Sequence, residues 1–196
     1  MKKILKRVDK KIFTKNFIIL CFVMGVFLAI DQFTKLALFA KISPDKICHN
    51  IQNRYVVDKG LIGTRLVTNT GMFSSLGANV VPYWGVQTLT SIVFIFLVFG
   101  ALISKKTLTA VGFSLMAAGA FGNILDRFML TYELDGKIYH YVRDWIYHPK
   151  MDRGTYNLAD VEVVLGSILT ATSIIINLFK EEKKENSKIN KNKKIK

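Results

Sequence analysis

Residues 108–130 read LTAVGFSLMAAGAFGNILDRFML. The run is long enough to cross a bilayer core as a helix, which takes roughly 20 residues. Yet it closes on Asn123, Asp126 and Arg127, and an ionisable side chain inside a span costs on the order of 3 kcal/mol. Such groups sit in a bundle interior, where they pair or perform a function. The middle of the run is built from small residues, and Ala118 and Gly122 form a small-x-x-x-small pair that lets helices approach closely.

Three more segments have the same character: about 16–39, 82–103 (which contains SIVFIFLVFGALI) and 157–179. With 108–130 they predict an all-α integral membrane protein of four transmembrane helices, since a backbone in lipid must satisfy its own hydrogen bonds. The alternation of a membrane barrel is absent. Composition agrees. The 196 residues are 51% hydrophobic, with a mean hydropathy of +0.28, which excludes disorder for most of the chain. Two cysteines, Cys21 in an apolar run and Cys48 in a polar loop, exclude a disulfide scaffold. A cleaved signal peptide is the competing reading of the first segment. Its length, the DQFTK interruption and the lack of a small-x-small cleavage site argue against that reading.

The net charge of +14 is concentrated at the ends. Lys2, Lys3, Lys6, Arg7, Lys10, Lys11 and Lys15 precede the first helix, Lys105 and Lys106 link the second and third, and eight lysines follow from Lys180. Loops 40–81 and 131–156 are longer and less basic per residue. The excess of Lys and Arg marks the cytoplasmic side, so both termini are expected inside and both long loops outside, as a small β platform and a lid. The expected organisation is a basic cytoplasmic tail over 1–15, a four-helix membrane domain over 16–180 and a Lys-rich cytoplasmic tail over 181–196. The tails suit topology and contact with anionic membrane lipid. No aromatic residue is interleaved with the C-terminal lysines, so no nucleic-acid partner is expected.

This topology gathers the costly polar groups at one level. Asp31 lies about 20 Å into the first helix and Asp126 about 27 Å into the third, both counted from the cytoplasm at the helical rise. Asn157 and Asp160 open the fourth helix, with Asn157 placed as its N-cap. Asp144 lies in the loop before it. Asp31 and Lys35, four apart on one face, read as a structural ion pair, and Asp126 beside Arg127 admits the same reading. Asp144 and Asp160 have no such partner on their own faces, and Arg143 points away from Asp144 if the segment is extended. These two acids are the better candidates for a pair that shares one proton. His49, His140 and His148 lack metal-ligand spacing, no P-loop or GxSxG appears, and no metal or organic cofactor is expected.

The motifs DQFTK (31–35), NTG (69–71), GNILDR (122–127), VRDWI (142–146) and YNLAD (156–160) occur in this order. Their order and placement resemble those of the lipoprotein signal peptidases, the type II prolipoprotein signal peptidases of bacteria. The resemblance spans residues 31 to about 166. It implies an aspartic endopeptidase of the bacterial inner membrane that removes the signal peptide from a diacylglyceryl-modified prolipoprotein, cutting just before the lipidated cysteine. It places the catalytic pair on Asp144 and Asp160. It gives supporting or substrate-binding roles to Asp31, Lys35, Asn69, Gly71, Asn123, Asp126, Arg127 and Asn157, and it implies globomycin-type inhibitors at the same site. Tyr156 stands where the family usually has Phe, and the stretch 129–141, with TYELDGKIYHY, is longer than usual. Asp126 is therefore kept as the alternative partner of Asp160. A small proton-coupled transporter is the rival function, but the inner halves of the second and third helices carry no acid or base to form a through-path.

Overall fold

The computed structural model describes residues 9–40, 56–57, 61–71, 82–150 and 154–193. Most of loop 40–81, with Cys48 and His49, lies outside these residues, as do both chain ends. Four helices run through the described chain: α1 (Lys10–Phe39), α2 (Tyr83–Ile103), α3 (Thr107–Met129) and α4 (Leu158–Lys193). Each has a stretch long and apolar enough to cross a membrane. Many of their large apolar side chains point outward, among them Phe22, Phe33, Phe96 and Phe179. That is the distribution expected when lipid, not water, surrounds the bundle.

α1 begins earlier than its apolar run, because Asp9 caps it and accepts the Lys11 N–H at 2.9 Å. α2 starts after Pro82 and α3 after Lys106, each within one residue of expectation. α4 departs most. The expected Lys-rich tail 181–196 is instead helical as far as Lys193. No Gly or Pro follows Gly166, and Lys and Glu favour helix, so nothing ends the helix at the membrane boundary.

α3 is the hub, and α1, α2 and α4 all pack on it. Its small residues make this possible. A Cβ on Gly119 would collide with the Ala159 backbone carbonyl of α4, and one on Gly122 would lie 2.6 Å from Asp31 Oδ2 of α1. Gly112 meets Gly166 of α4 in the same way. The small residues thus serve two faces: Gly112 and Gly119 seat α4, and Gly122 makes room for a carboxylate. At the far end of α2, Asn16 of α1 is fully buried and donates from Nδ2 to the carbonyl oxygens of Ala101 (3.0 Å), Leu102 (3.1 Å) and Ser104 (2.8 Å). These are carbonyls a helix end leaves without an internal partner.

The other end of the bundle carries the strands. β1 (Val56–Val57), β2 (Gly63–Asn69), β5 (Val142–Tyr147) and β6 (Thr155–Tyr156) form an antiparallel sheet in the order β1-β2-β5-β6. It is built from both long loops. The extra stretch after α3 is a hairpin, β3 (Thr131–Leu134) paired with β4 (Lys137–His140). Asp135 (φ 52°) and Gly136 (φ 71°) form its turn, the left-handed pair a two-residue hairpin requires. His140 ties the hairpin down: its ring stacks on Tyr83 at 3.6 Å, and its Nδ1 lies 2.8 Å from the Arg127 carbonyl oxygen.

Candidate active site

β5 delivers the site through its alternation. Val142 and Asp144 face the bundle cavity, and Arg143 between them faces the other way. Asp144 is 2% exposed. Its Oδ1 accepts from Asn157 Nδ2 at 2.7 Å and its Oδ2 from Asn69 Nδ2 at 2.9 Å. The reach of Asn69 depends on a register shift in β2 between Thr64 and Val67. Thr64 opposes Ile146, but Val67, three residues on, opposes Asp144, only two residues back along β5. This extra residue puts Val67 and Asn69, rather than Leu66 and Thr68, on the Asp144 face.

Asp160 enters on the first turn of α4. Its Oδ2 accepts the Asn157 backbone N–H at 3.0 Å, and its own N–H donates to Asn157 Oδ1 at 3.1 Å. This is a reciprocal cap of the kind that starts a helix. Its Oδ1 accepts from Asn123 Nδ2 at 3.1 Å. Asn157 therefore holds both acids, one through its side chain and one through its backbone. Both carboxyls line one cavity of about 370 Å³, together with Asn69, Asn123 and Arg127. Burial, and next the charge of Asp160, pushes the Asp144 carboxyl up to about 7.

Behind this layer lies an ionic one. Lys35 Nζ, fully buried, is 2.8 Å from Asp31 Oδ2 and 3.4 Å from Asp126 Oδ2, and donates to Asn123 Oδ1 at 3.1 Å. Asp126 also receives Arg143: Nη2 at 2.7 Å, Nε at 3.3 Å and the backbone N–H at 3.0 Å. Gln32 completes the cluster, accepting from Arg143 Nη2 at 2.9 Å and donating to Asp126 Oδ1 at 3.2 Å. Asp31 Oδ1 accepts the Ala159 N–H at 3.1 Å, which pins the start of α4. Asn123 joins the two layers, since its Oδ1 also accepts from Asn157 Nδ2 at 3.0 Å.

The residues singled out from sequence thus fall into two groups. Asp144, Asp160, Asn69, Asn123, Arg127 and Asn157 meet at the cavity or hold the groups that line it. Asp31, Lys35 and Asp126 lie behind it. Arg127 donates from Nη2 to the Gly71 carbonyl at 2.8 Å, and Gly71 N–H donates to Asn69 Oδ1 at 3.0 Å. The pairing of Asp126 with Arg127 is corrected, because the partners of Asp126 are Arg143 and Lys35. Adjacent residues on a helix diverge by about 100°, so Asp126 and Arg127 leave α3 in different directions. Sequence reading missed Arg143 as a partner and Asn16 altogether. The strand alternation that turned Arg143 from Asp144 was the usable signal for the first.

A family model described as Signal peptidase (SPase) II matches residues 23–176. The lipoprotein signal peptidase of Clostridium tetani is 29% identical over 173 residues, covering 87% of this chain and 97% of that protein. That of Bartonella henselae is 32% identical over 118 residues, covering 59% of this chain and 68% of that protein. Among solved structures, a bacterial membrane enzyme determined by the in meso method at 1.9 Å is 25% identical, with a TM-score of 0.56 over 84% of this chain and 92% of the other. The match runs from α1 through α4 and takes in every residue of the cavity and of the ionic layer behind it, so the chain belongs to the signal peptidase II family.

Proposed function

We propose that the protein is an aspartic endopeptidase that removes the signal peptide from diacylglyceryl-modified prolipoproteins, cutting before the lipidated cysteine, with Asp144 and Asp160 as its catalytic carboxyls. The observation that carries this is the cavity. Two buried acids from different elements face the same space and are held by one asparagine. Asp126, the alternative partner, is engaged by Arg143 and Lys35 behind that space, which suits a supporting role.

The mechanism follows from proton sharing. Two close carboxyls in a desolvated site do not both ionise readily, so the pair carries one proton near neutral pH. The ionised member takes a proton from water as the water attacks the scissile carbonyl, and the other protonates the carbonyl oxygen and then helps the amine leave. The titration belongs to the pair. No metal or organic cofactor enters this chemistry.

The cavity continues as an apolar furrow along Leu89, Val93 and Leu97 of α2, Met116 of α3 and Val163 of α4. α2 and α4 both pack on α3 but scarcely touch each other. The seam between them offers a lipid-borne substrate a lateral way to the acids. Lys10, Lys11 and Lys15 start α1, Lys105 and Lys106 join α2 to α3, and Lys180, Lys183 and Lys184 lie in the C-terminal part of α4. All lie at the end of the bundle away from the sheet, supporting cytoplasmic termini, an extracytoplasmic active site and residence in the inner membrane. Globomycin-type inhibitors would occupy the same cavity. The buried acids gather at one end of the bundle, which favours a peptidase over a proton-coupled transporter.

The test is cleavage of a lipidated precursor by Asp144→Asn, Asp160→Asn and Asp126→Asn variants. The first two are expected to be inactive while folded. Near wild-type turnover by either removes that residue from the pair.

A further inference from the structure

The four-stranded sheet ends in β6, where Thr155 pairs with Tyr147 and Tyr156 with Ile146 of β5. Among the described residues no strand pairs with its other edge. Successive residues of an antiparallel strand turn their N–H and C=O to opposite sides. One of Thr155 and Tyr156 therefore directs both groups away from β5. Unpaired edge groups of this kind are the template on which an extended peptide adds as a further strand.

This edge borders the cavity that holds both acids: Gly154, Thr155 and Tyr156 line it beside Asp144 and Asp160. Thr155 as a whole is 7% exposed, and its Oγ1 accepts from Arg65 Nε at 2.9 Å, while Tyr156 is half-buried. Gly154 has no side chain and sits at φ 120°, where a side chain would be strained. The edge is also held in fixed relation to the acids. The next residue, Asn157, hydrogen-bonds Asp144 and Asp160 directly, and β6 is paired to the strand that bears Asp144.

We infer that β6 is the docking edge for the substrate: the precursor chain around its cleavage junction adds in extended form beside Thr155–Tyr156, and the backbone hydrogen bonds so formed set the scissile carbonyl against the two acids. This rests on the peptidase reading above. Recognition along this edge then runs through the backbone of the bound chain. It also requires the junction to be extended, so a precursor helix must unwind there before it is cut.

The experiment uses the full-length protein and synthetic lipidated precursor peptides. In each peptide one backbone N–H near the cut, never that of the scissile bond, is replaced by an ester oxygen with every side chain unchanged. One or two positions are expected to lose about tenfold in kcat/KM, the scale of one backbone hydrogen bond, while alternate positions keep the parent value, because a strand pairs every second residue along one edge. Efficient cutting of the all-amide parent with a flat ester profile overturns the docking edge and leaves the peptidase reading intact. Failure of the folded protein to cut the parent at all overturns both.

Discussion

Asn157 Nδ2 donates to Asp144 Oδ1 at 2.7 Å, the shortest amide–carboxylate contact in the cavity, while the backbone N–H of the same asparagine serves Asp160. One residue thereby ties the strand that carries one acid to the helix that carries the other. Replacing Asn157 with Ala should leave both acids in place but loosen their relation. The expected result is a fall of about 10- to 100-fold in kcat, larger than the change in KM, because transition-state geometry tolerates little displacement. A steady-state assay on lipidated precursor checks it, and unchanged kcat would show that the tie is dispensable.

The pH dependence has a definite sign. Burial raises the folded Asp144 carboxyl to about 7 from the ordinary aspartate value of 3.8. Between those values the folded chain holds a proton that the unfolded chain has released, so stability falls as pH rises through that window and levels off above about 7. Asp144→Asn cannot ionise. Its melting temperature relative to wild type should therefore climb from pH 4 to pH 7 and then stay constant. Cleavage by the wild type should show an alkaline limb near neutrality, as the shared proton is lost. A pH-independent difference in melting would contradict the burial of an ionisable Asp144.

The Asp126–Arg143 pair, with Nη2 to Oδ1 at 2.7 Å, is buried on both sides. Arg143→Met should cost about 3–5 kcal/mol, since it strips a buried carboxylate of its main partner. The double variant Asp126→Leu/Arg143→Met should recover part of that loss, because removing both charges also removes their desolvation cost. Thermal or denaturant unfolding in detergent measures both. Equal losses for the single and double variants would argue that shape, not charge, matters here.

Asn16 makes a separate prediction far from the chemistry. Asn16→Leu keeps the branched shape of the side chain, though larger, but leaves the end carbonyls of α2 without their donor, at an expected cost of about 1–3 kcal/mol. Cleavage per folded molecule should not change, as the substitution lies at the opposite end of the bundle from the acids.

Gly119→Ala should be worse than Gly122→Ala. The first drives a methyl into the Ala159 backbone, which cannot move without shifting α4, whereas the second meets the Asp31 carboxylate, a side chain that can shift at the expense of its bonds to Lys35 and Ala159. Overpacking of this kind costs about 1–3 kcal/mol. The reverse order of melting temperatures would place the tight helix contact elsewhere.

The four spans were legible from their length and apolarity, and six of the eight helix ends fell within one residue of expectation. Those properties belong to each segment alone and need no partner. The level at which Asp31, Asp126, Asp144 and Asp160 converge was legible too, because helical rise converts residue count into depth. The end of α4 was not, since a basic tail and a basic helix have the same composition. The split of the polar residues into a cavity layer and an ionic layer was only partly legible. Asp31–Lys35 is a four-residue spacing on one helix, but Asp126–Arg143 joins a helix to a strand.

Length and apolarity alone specify four helices that are able to cross a membrane, and the helical rise brings their carboxyls to one level. Which groups touch those carboxyls depends on contacts between distant segments. The extra residue of β2 between Thr64 and Val67 turns Asn69 rather than Thr68 toward Asp144, and β5 turns Arg143 away to Asp126. A one-residue shift reverses every side chain of a strand. The choice is made by pairing with a strand some 75 residues away along the chain, and local sequence carries no record of it.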